Sequence, residues 1–116
     1  MIAPHEPEWS KAVYHLYVLR VQDRDDLIQH LGAAGIGTGI HYPVPLHLQE
    51  AYNGLGHQVG DLPITEMVSK EIVSLPMFPC LSGPQLARVV EEVSMFVGSR
   101  RSHELAENVE LHTARV

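Results

Sequence analysis

Two imidazoles and a phenol are gathered in the stretch His41-Tyr42-Pro43-Val44-Pro45-Leu46-His47, with Gln49 just beyond. Pro43 and Pro45 fix two φ angles and push Tyr42 and Val44 toward extended backbone, so His41, Tyr42 and His47 sit on a stiff bend with little freedom to lose. Histidine and tyrosine are neutral hydrogen-bond donors. They orient an uncharged hydroxyl without the desolvation cost of a lone buried charge. In the plainer alternative, Tyr42 and His47 only satisfy backbone groups around the proline turn. A chain with eight histidines also raises a metal site built from His41, His47 and His57. Against it, the spacing fits no compact zinc pattern, no cysteine assists, and the proline turn separates the first two imidazoles. Schiff-base chemistry needs a lysine in a desolvated pocket. Only Lys11, at the end of a linker, and Lys70, on the polar side of a helix, are present.

The elements that position the turn are legible around it. Gly35, Gly37 and Gly39 relax the backbone before the turn and suit a strand edge lying against another surface or a ligand. Upstream, Val13–Val21 is β-branched and aromatic enough for a central strand, with Val13, His15, Tyr17, Leu19 and Val21 on one side. His15 there is read as a sheet histidine rather than a ligand. Asp23 is placed to cap a helix whose start is acidic, whose stripe is Leu27, Ile28, Leu31 and Ala34, and which stops at Gly35. After the turn, Leu48, Ala51, Tyr52 and Leu55 predict a short helix ending at Gly54 or Gly56. Asp61 and Pro63 begin another, with Ile64, Met67, Val68 and Ile72 as its core stripe and Glu66 paired with Lys70.

Ile72-Val73-Ser74-Leu75 reads as a short edge strand, and Pro76 and Pro79 bracket an irregular connection. Ser82-Gly83-Pro84-Gln85 has capping-box spacing, and Leu86, Val89, Val90, Val93 and Phe96 make the clearest amphipathic stripe in the chain. Strand, helix and strand, followed by further helices, fit an α+β unit: a small sheet of about three strands with helices packed on one face. Residues 1–11 read as a linker, 12–97 as one domain, and 98–116 as a polar tail in which Leu105 and Val109 give only a faint stripe.

Composition narrows the class. The 116 residues are 45% hydrophobic and 19% charged, which is globular and enough for one modest core. A net charge of −6 with eight Lys and Arg argues against nucleic acid as a partner. No apolar run is long enough to span a bilayer, and the first residues lack the pattern of a secretion signal. The expectation is a cytoplasmic protein without a membrane segment. The lone Cys80 excludes an internal disulfide and a multi-cysteine metal site.

Three ordered motifs carry a resemblance: Tyr14-His15-Leu16-Tyr17-Val18, then His41-Tyr42-Pro43-x-Pro45-Leu46-His47-x-Gln49-x-Ala51-Tyr52, then Ser74-Leu75-Pro76-Met77-Phe78-Pro79. From about Trp9 to about Val97 the chain resembles the C-terminal, small domain of the DegT/DnrJ/EryC1/StrS family of pyridoxal-phosphate-dependent sugar aminotransferases. The resemblance implies a mostly antiparallel sheet of the aspartate-aminotransferase small-domain type. It implies that His41, Tyr42 and His47 line the substrate wall for a nucleotide-linked keto-sugar in amino-sugar or polysaccharide biosynthesis. By the same resemblance, the lysine that holds pyridoxal phosphate, the aspartate on its ring nitrogen and most phosphate contacts belong to a large domain that this chain lacks. The complete enzyme is then expected to be a homodimer, and this chain alone to be inactive without its large PLP-binding domain. The alternative is a stand-alone, non-catalytic module that binds a nucleotide sugar or a partner enzyme. Cys80, directly after the last motif, stands where the family commonly carries a polar or charged residue. A lone cysteine beside a proline turn is read as inert.

Overall fold

The computed structural model describes the backbone of residues 1–113 and the side chains of residues 1–102. Two short strands form its sheet. Strand β1 is Tyr17–Arg20 and β2 is Ile72–Leu75. They pair antiparallel with Tyr17 opposite Leu75, Val18 opposite Ser74, Leu19 opposite Val73 and Arg20 opposite Ile72. This register places Leu19 and Val73 side by side on one face. There they join the core of Val21, Leu27, Leu31, Ile36, Val89, Val93 and Phe96. Burying each large apolar side chain of this kind contributes about 1.5–3 kcal/mol.

The expected third strand shrinks to a single bridge. Gly39 and Ser74 exchange two backbone hydrogen bonds, Gly39 N to Ser74 O at 3.1 Å and Ser74 N to Gly39 O at 2.7 Å. Alternate glycines provide no side chains to pack along this edge, so pairing does not propagate. β2, expected at the edge, therefore lies between β1 and this bridge. On the far side of β1, Ile2 exchanges two 2.9 Å bonds with Arg20, so the first residues, read as a linker, touch the sheet.

β1 also starts four residues later than expected. Tyr14 has φ 47°, and its hydroxyl donates to Glu6 at 2.8 Å while the other Glu6 oxygen accepts from Ala12 N at 2.9 Å. That knot turns the chain before the strand, leaving His15 exposed and Val13 93% exposed rather than on the sheet's inner face.

Helix α1, Arg24–Ala33, buries Leu27 and Leu31. Gly35 takes φ 75° and ends it, with Gly35 N on Gly32 O at 3.0 Å and Ile36 N on Leu31 O at 2.8 Å. These paired bonds satisfy carbonyls that the last turn would otherwise leave free. Asp23 makes no side-chain capping bond. Its carboxylate instead lies 3.6 Å from Arg100 Nε.

Helix α2, Pro63–Glu71, begins with proline at its first position and runs directly into β2. Half of its expected core stripe faces outward: Ile64 is 72% and Met67 46% exposed, Val68 and Ile72 are half-buried, and Ser69 is buried. The cause lies outside the helix. Arg24 Nη1 of α1 donates to Ser69 O at 3.1 Å, and Arg20 of β1 donates twice to Glu71, at 3.1 and 2.8 Å. These contacts turn the Ser69 side inward.

Helix α3, Gly83–Thr113, opens with the expected capping box. Ser82 N and Ser82 Oγ both lie 2.9 Å from Gln85 Oε1, and Gln85 N is 3.4 Å from Ser82 Oγ. Val89, Val93 and Phe96 close the core, while Leu86 and Val90 stay exposed. Buried Glu92 lies 2.8 Å from His30 of α1 and 2.7 Å from Arg88, whose guanidinium compensates its charge. The helix continues through Gly98 into the segment read as a polar tail. The faint stripe of Leu105 and Val109 falls outside the described side chains, and residues 114–116 lie outside the described residues. Among the described residues no helix is long and apolar enough to cross a membrane.

Candidate functional site

The proline turn hangs between two side-chain anchors. At its entry, Nδ1 of His41 and Oγ of Ser74 share a hydrogen bond of 2.9 Å. Ser74 is buried on β2, so the imidazole is referred to the sheet. Glycine at position 39 makes room for this placement, because a Cβ there would lie 2.8 Å from Cε1 of the His41 ring. The rings of His41 and Tyr42 meet edge to face at 5.5 Å, and Tyr42 is 69% exposed. Both residues are thus open to a ligand, and the bond to Ser74 occupies only one of the two imidazole nitrogens.

At the exit, Leu46–Leu48 forms a 3-10 turn closed by Leu48 N on Pro45 O at 2.9 Å. The expected short helix is a second 3-10 helix, Glu50–Leu55, and it ends at Gly56, with φ 77°. His47 lies in the first of these turns and is only 8% exposed. Its Nε2 is 3.1 Å from Glu66 Oε1 on α2. Its Nδ1 is buried without a partner. His47 therefore stands beneath the turn, not beside His41 and Tyr42 on the surface.

Glu66 does not reach for Lys70. Both of its oxygens accept from Gly60 N, at 2.8 and 3.0 Å, and Oε1 also takes Leu62 N at 3.4 Å. The Gly60 amide, with help from His47 and Leu62, holds the Glu66 carboxyl below its usual range despite partial burial. Asp61 is likewise lowered, chiefly by the bond from Gln58 N. His57 sits beside this group, its ring perpendicular to that of His47 at 6.1 Å and its Nδ1 3.5 Å from Asp61. Even so, no group of three or more His, Cys, Asp or Glu among the described residues could hold a metal ion.

One cleft borders the turn and a larger one lies apart from it. Tyr42, Val44, Pro45, Leu46 and Gln49 line one of about 320 Å³ against Ile64, Thr65 and Val68 of α2. A larger one of about 550 Å³ lies between Gly35–Gly37, Pro76, Phe78 and the start of α3, and contains none of His41, Tyr42 and His47. Lys11 and Lys70 are both exposed and line neither cleft. Sequence reasoning missed Glu66 and Ser74 as supports of the site. The available signal for Glu66 was an acidic residue in the first turn of a helix, able to reach back to free amides. Ser74 carried no signal beyond being a polar residue in a strand.

A family model described as the DegT/DnrJ/EryC1/StrS aminotransferase family matches residues 1–94. The chain is 46% identical over 81 residues to the dTDP-3-amino-3,4,6-trideoxy-alpha-D-glucose transaminase of Streptomyces venezuelae, which is 70% of this chain and 21% of that protein. It is 42% identical over 96 residues to the pleiotropic regulatory protein of Geobacillus stearothermophilus, 83% of this chain and 26% of that one. Among solved structures, S. venezuelae DesV in complex with a ketimine intermediate aligns with a TM-score of 0.77 at 40% identity, over 81% of this chain and 25% of that chain. A DegT DnrJ EryC1 StrS aminotransferase from Brucella abortus aligns with a TM-score of 0.74 at 34% identity, over the same shares. The chain thus spans about a quarter of the length of the relatives it matches.

Proposed function

The chain belongs to the DegT/DnrJ/EryC1/StrS aminotransferase family, and from that premise we propose that it is the C-terminal portion of a pyridoxal-phosphate-dependent transaminase acting on nucleotide-linked keto-sugars. The observation that carries this reading is the 46% identity over 81 residues with a dTDP-amino-sugar transaminase. The geometry supports a division of labour. Exposed His41 and Tyr42 meet the sugar hydroxyls or the diphosphate, and the apolar cleft beside Tyr42 adjoins them. His47, also assigned to the substrate wall, contributes from below.

The residues of this chain do not fit the covalent role of the cofactor. An internal aldimine needs a desolvated lysine, whereas Lys11 and Lys70 are exposed. We place the cofactor's lysine on a large domain, in the same or a separate chain, and derive no step through pyridoxal phosphate here. The complete enzyme, in this reading, is a homodimer that takes its amino group from a donor such as glutamate.

The test is a chimaera. The chain is joined in frame to the large domain of the S. venezuelae transaminase in place of that enzyme's own C-terminal part, and amino transfer to a dTDP-keto-sugar is followed. Turnover that drops with His41→Ala or Tyr42→Ala supports the proposal. A folded chimaera that binds its cofactor but never turns over any nucleotide keto-sugar overturns it. The second reading, a stand-alone binding module, draws on the same pair of exposed lysines. Calorimetric binding of a nucleotide sugar to the isolated chain, together with a silent chimaera, would favour it.

A further inference from the structure

We infer that the His47–Glu66 pair is the clamp that positions the His41–Tyr42 turn, so that His47 acts on the ligand through the turn and not by touching it. Burial is the first reason: at 8% exposure, with Nε2 committed to Glu66, the ring has no surface to offer a sugar. The second is the anchoring of Glu66 itself. Its carboxylate gathers the amides of Gly60 and Leu62 as well as His47, uniting the loop before α2, the helix and the 3-10 turn at one point. α2 in turn is tied to the rest of the domain through Glu71 on Arg20 and Ser69 O on Arg24.

Residues 42–46 are therefore suspended between two fixed ends, Ser74 through His41 and Glu66 through His47. Two prolines within that span leave few torsions free, so fixing both ends fixes the direction of Tyr42. A hydrophobic residue of similar size at position 47 would fill the space but leave the Glu66 carboxylate without this donor. Charge-assisted bonds are the stronger kind and set direction as well as distance. The mechanical content of this inference stands by itself, while its consequence for substrate binding rests on the proposed function.

The test compares His47→Asn with His47→Gln in the isotope-labelled chain. Glutamine can place an amide nitrogen where Nε2 lies and still donate to Glu66, whereas asparagine ends too early. Backbone order parameters of about 0.85 are expected at Tyr42, Val44 and Leu46 in the parent chain and in His47→Gln, falling below about 0.6 in His47→Asn. Hydrogen exchange at Leu27, Leu31 and Val73 should be the same in all three. Equal order of the turn in the two variants would overturn the clamp. So would a loss in His47→Asn that spreads equally to Leu27, Leu31 and Val73, because that is the signature of general stabilisation. Should His47→Asn fail to fold while His47→Gln folds, His47→Asn is repeated at low temperature and the same comparison decides. In the chimaera, the asparagine variant should raise the sugar KM at least tenfold with kcat changed less. A silent chimaera counts against the proposed function, while the order parameters still decide the clamp.

Discussion

Nδ1 of His41 lies 2.9 Å from Oγ of Ser74, and the backbone of the same Ser74 exchanges two hydrogen bonds with Gly39. One buried strand residue thus holds the entry to the turn by both side chain and main chain. The short bridge at Gly39 brings His41 to this serine.

Ser74→Ala removes the side-chain half of that hold. A hydrogen bond of this kind contributes about 0.5–1.5 kcal/mol, and the lowered urea midpoint should report it. In NMR spectra the His41 imidazole should lose its single environment. An unchanged imidazole signal would mean that Ser74 does not orient the ring.

Gly39→Ala attacks the same contact from the other side. The new methyl carbon would sit 2.8 Å from Cε1 of His41, so the ring must rotate away and release Ser74. The expected loss is again about 1 kcal/mol. Because both substitutions break one bond, their effects in the double variant should fall short of the sum. Strict additivity in a double-mutant cycle would disprove the shared contact.

Acid should loosen the exit of the turn before the core. The folded-state pKa of Glu66 is lowered from 4.5 and that of Asp61 from 3.8, in each case first by a backbone amide. A depressed carboxyl pKa contributes stability that is fully present above the unfolded value and is lost as pH falls through the folded one. Urea stability of the parent chain should therefore decline with falling pH below 4.5, and that of Glu66→Gln should decline less. Parallel pH curves would show that the Glu66 carboxylate contributes no such linkage.

The two apolar groups of the chain should differ sharply in cost. Leu27 is fully buried, so Leu27→Ala is expected to lose about 2–5 kcal/mol through lost contacts and a cavity. Ile64, 72% exposed on α2, should change stability by no more than about 0.5 kcal/mol on Ile64→Ala. A loss above 2 kcal/mol at Ile64, read from urea denaturation, would contradict the outward orientation of α2.

By itself the sequence determined what neighbours along the chain can decide. Gly35 stops α1, Pro63 opens α2, and Ser82 with Gln85 caps α3, each through bonds closed within a few residues. The ordered motifs carried the family, and the chemistry of His41 and Tyr42 was legible in their types and the prolines that follow. Only the tertiary structure decided which of the gathered side chains are exposed and which are buried. His41 meets Ser74 across 33 positions and His47 meets Glu66 across 19. The inward turn of Ser69, the outward turn of Ile64 and Met67, and the late start of β1 likewise follow from Arg20, Arg24 and Glu6. The physical reason is common to all of them. Helix starts and stops are governed by backbone groups a turn apart, whereas the direction of a side chain is settled by partners that only folding brings within 3 Å.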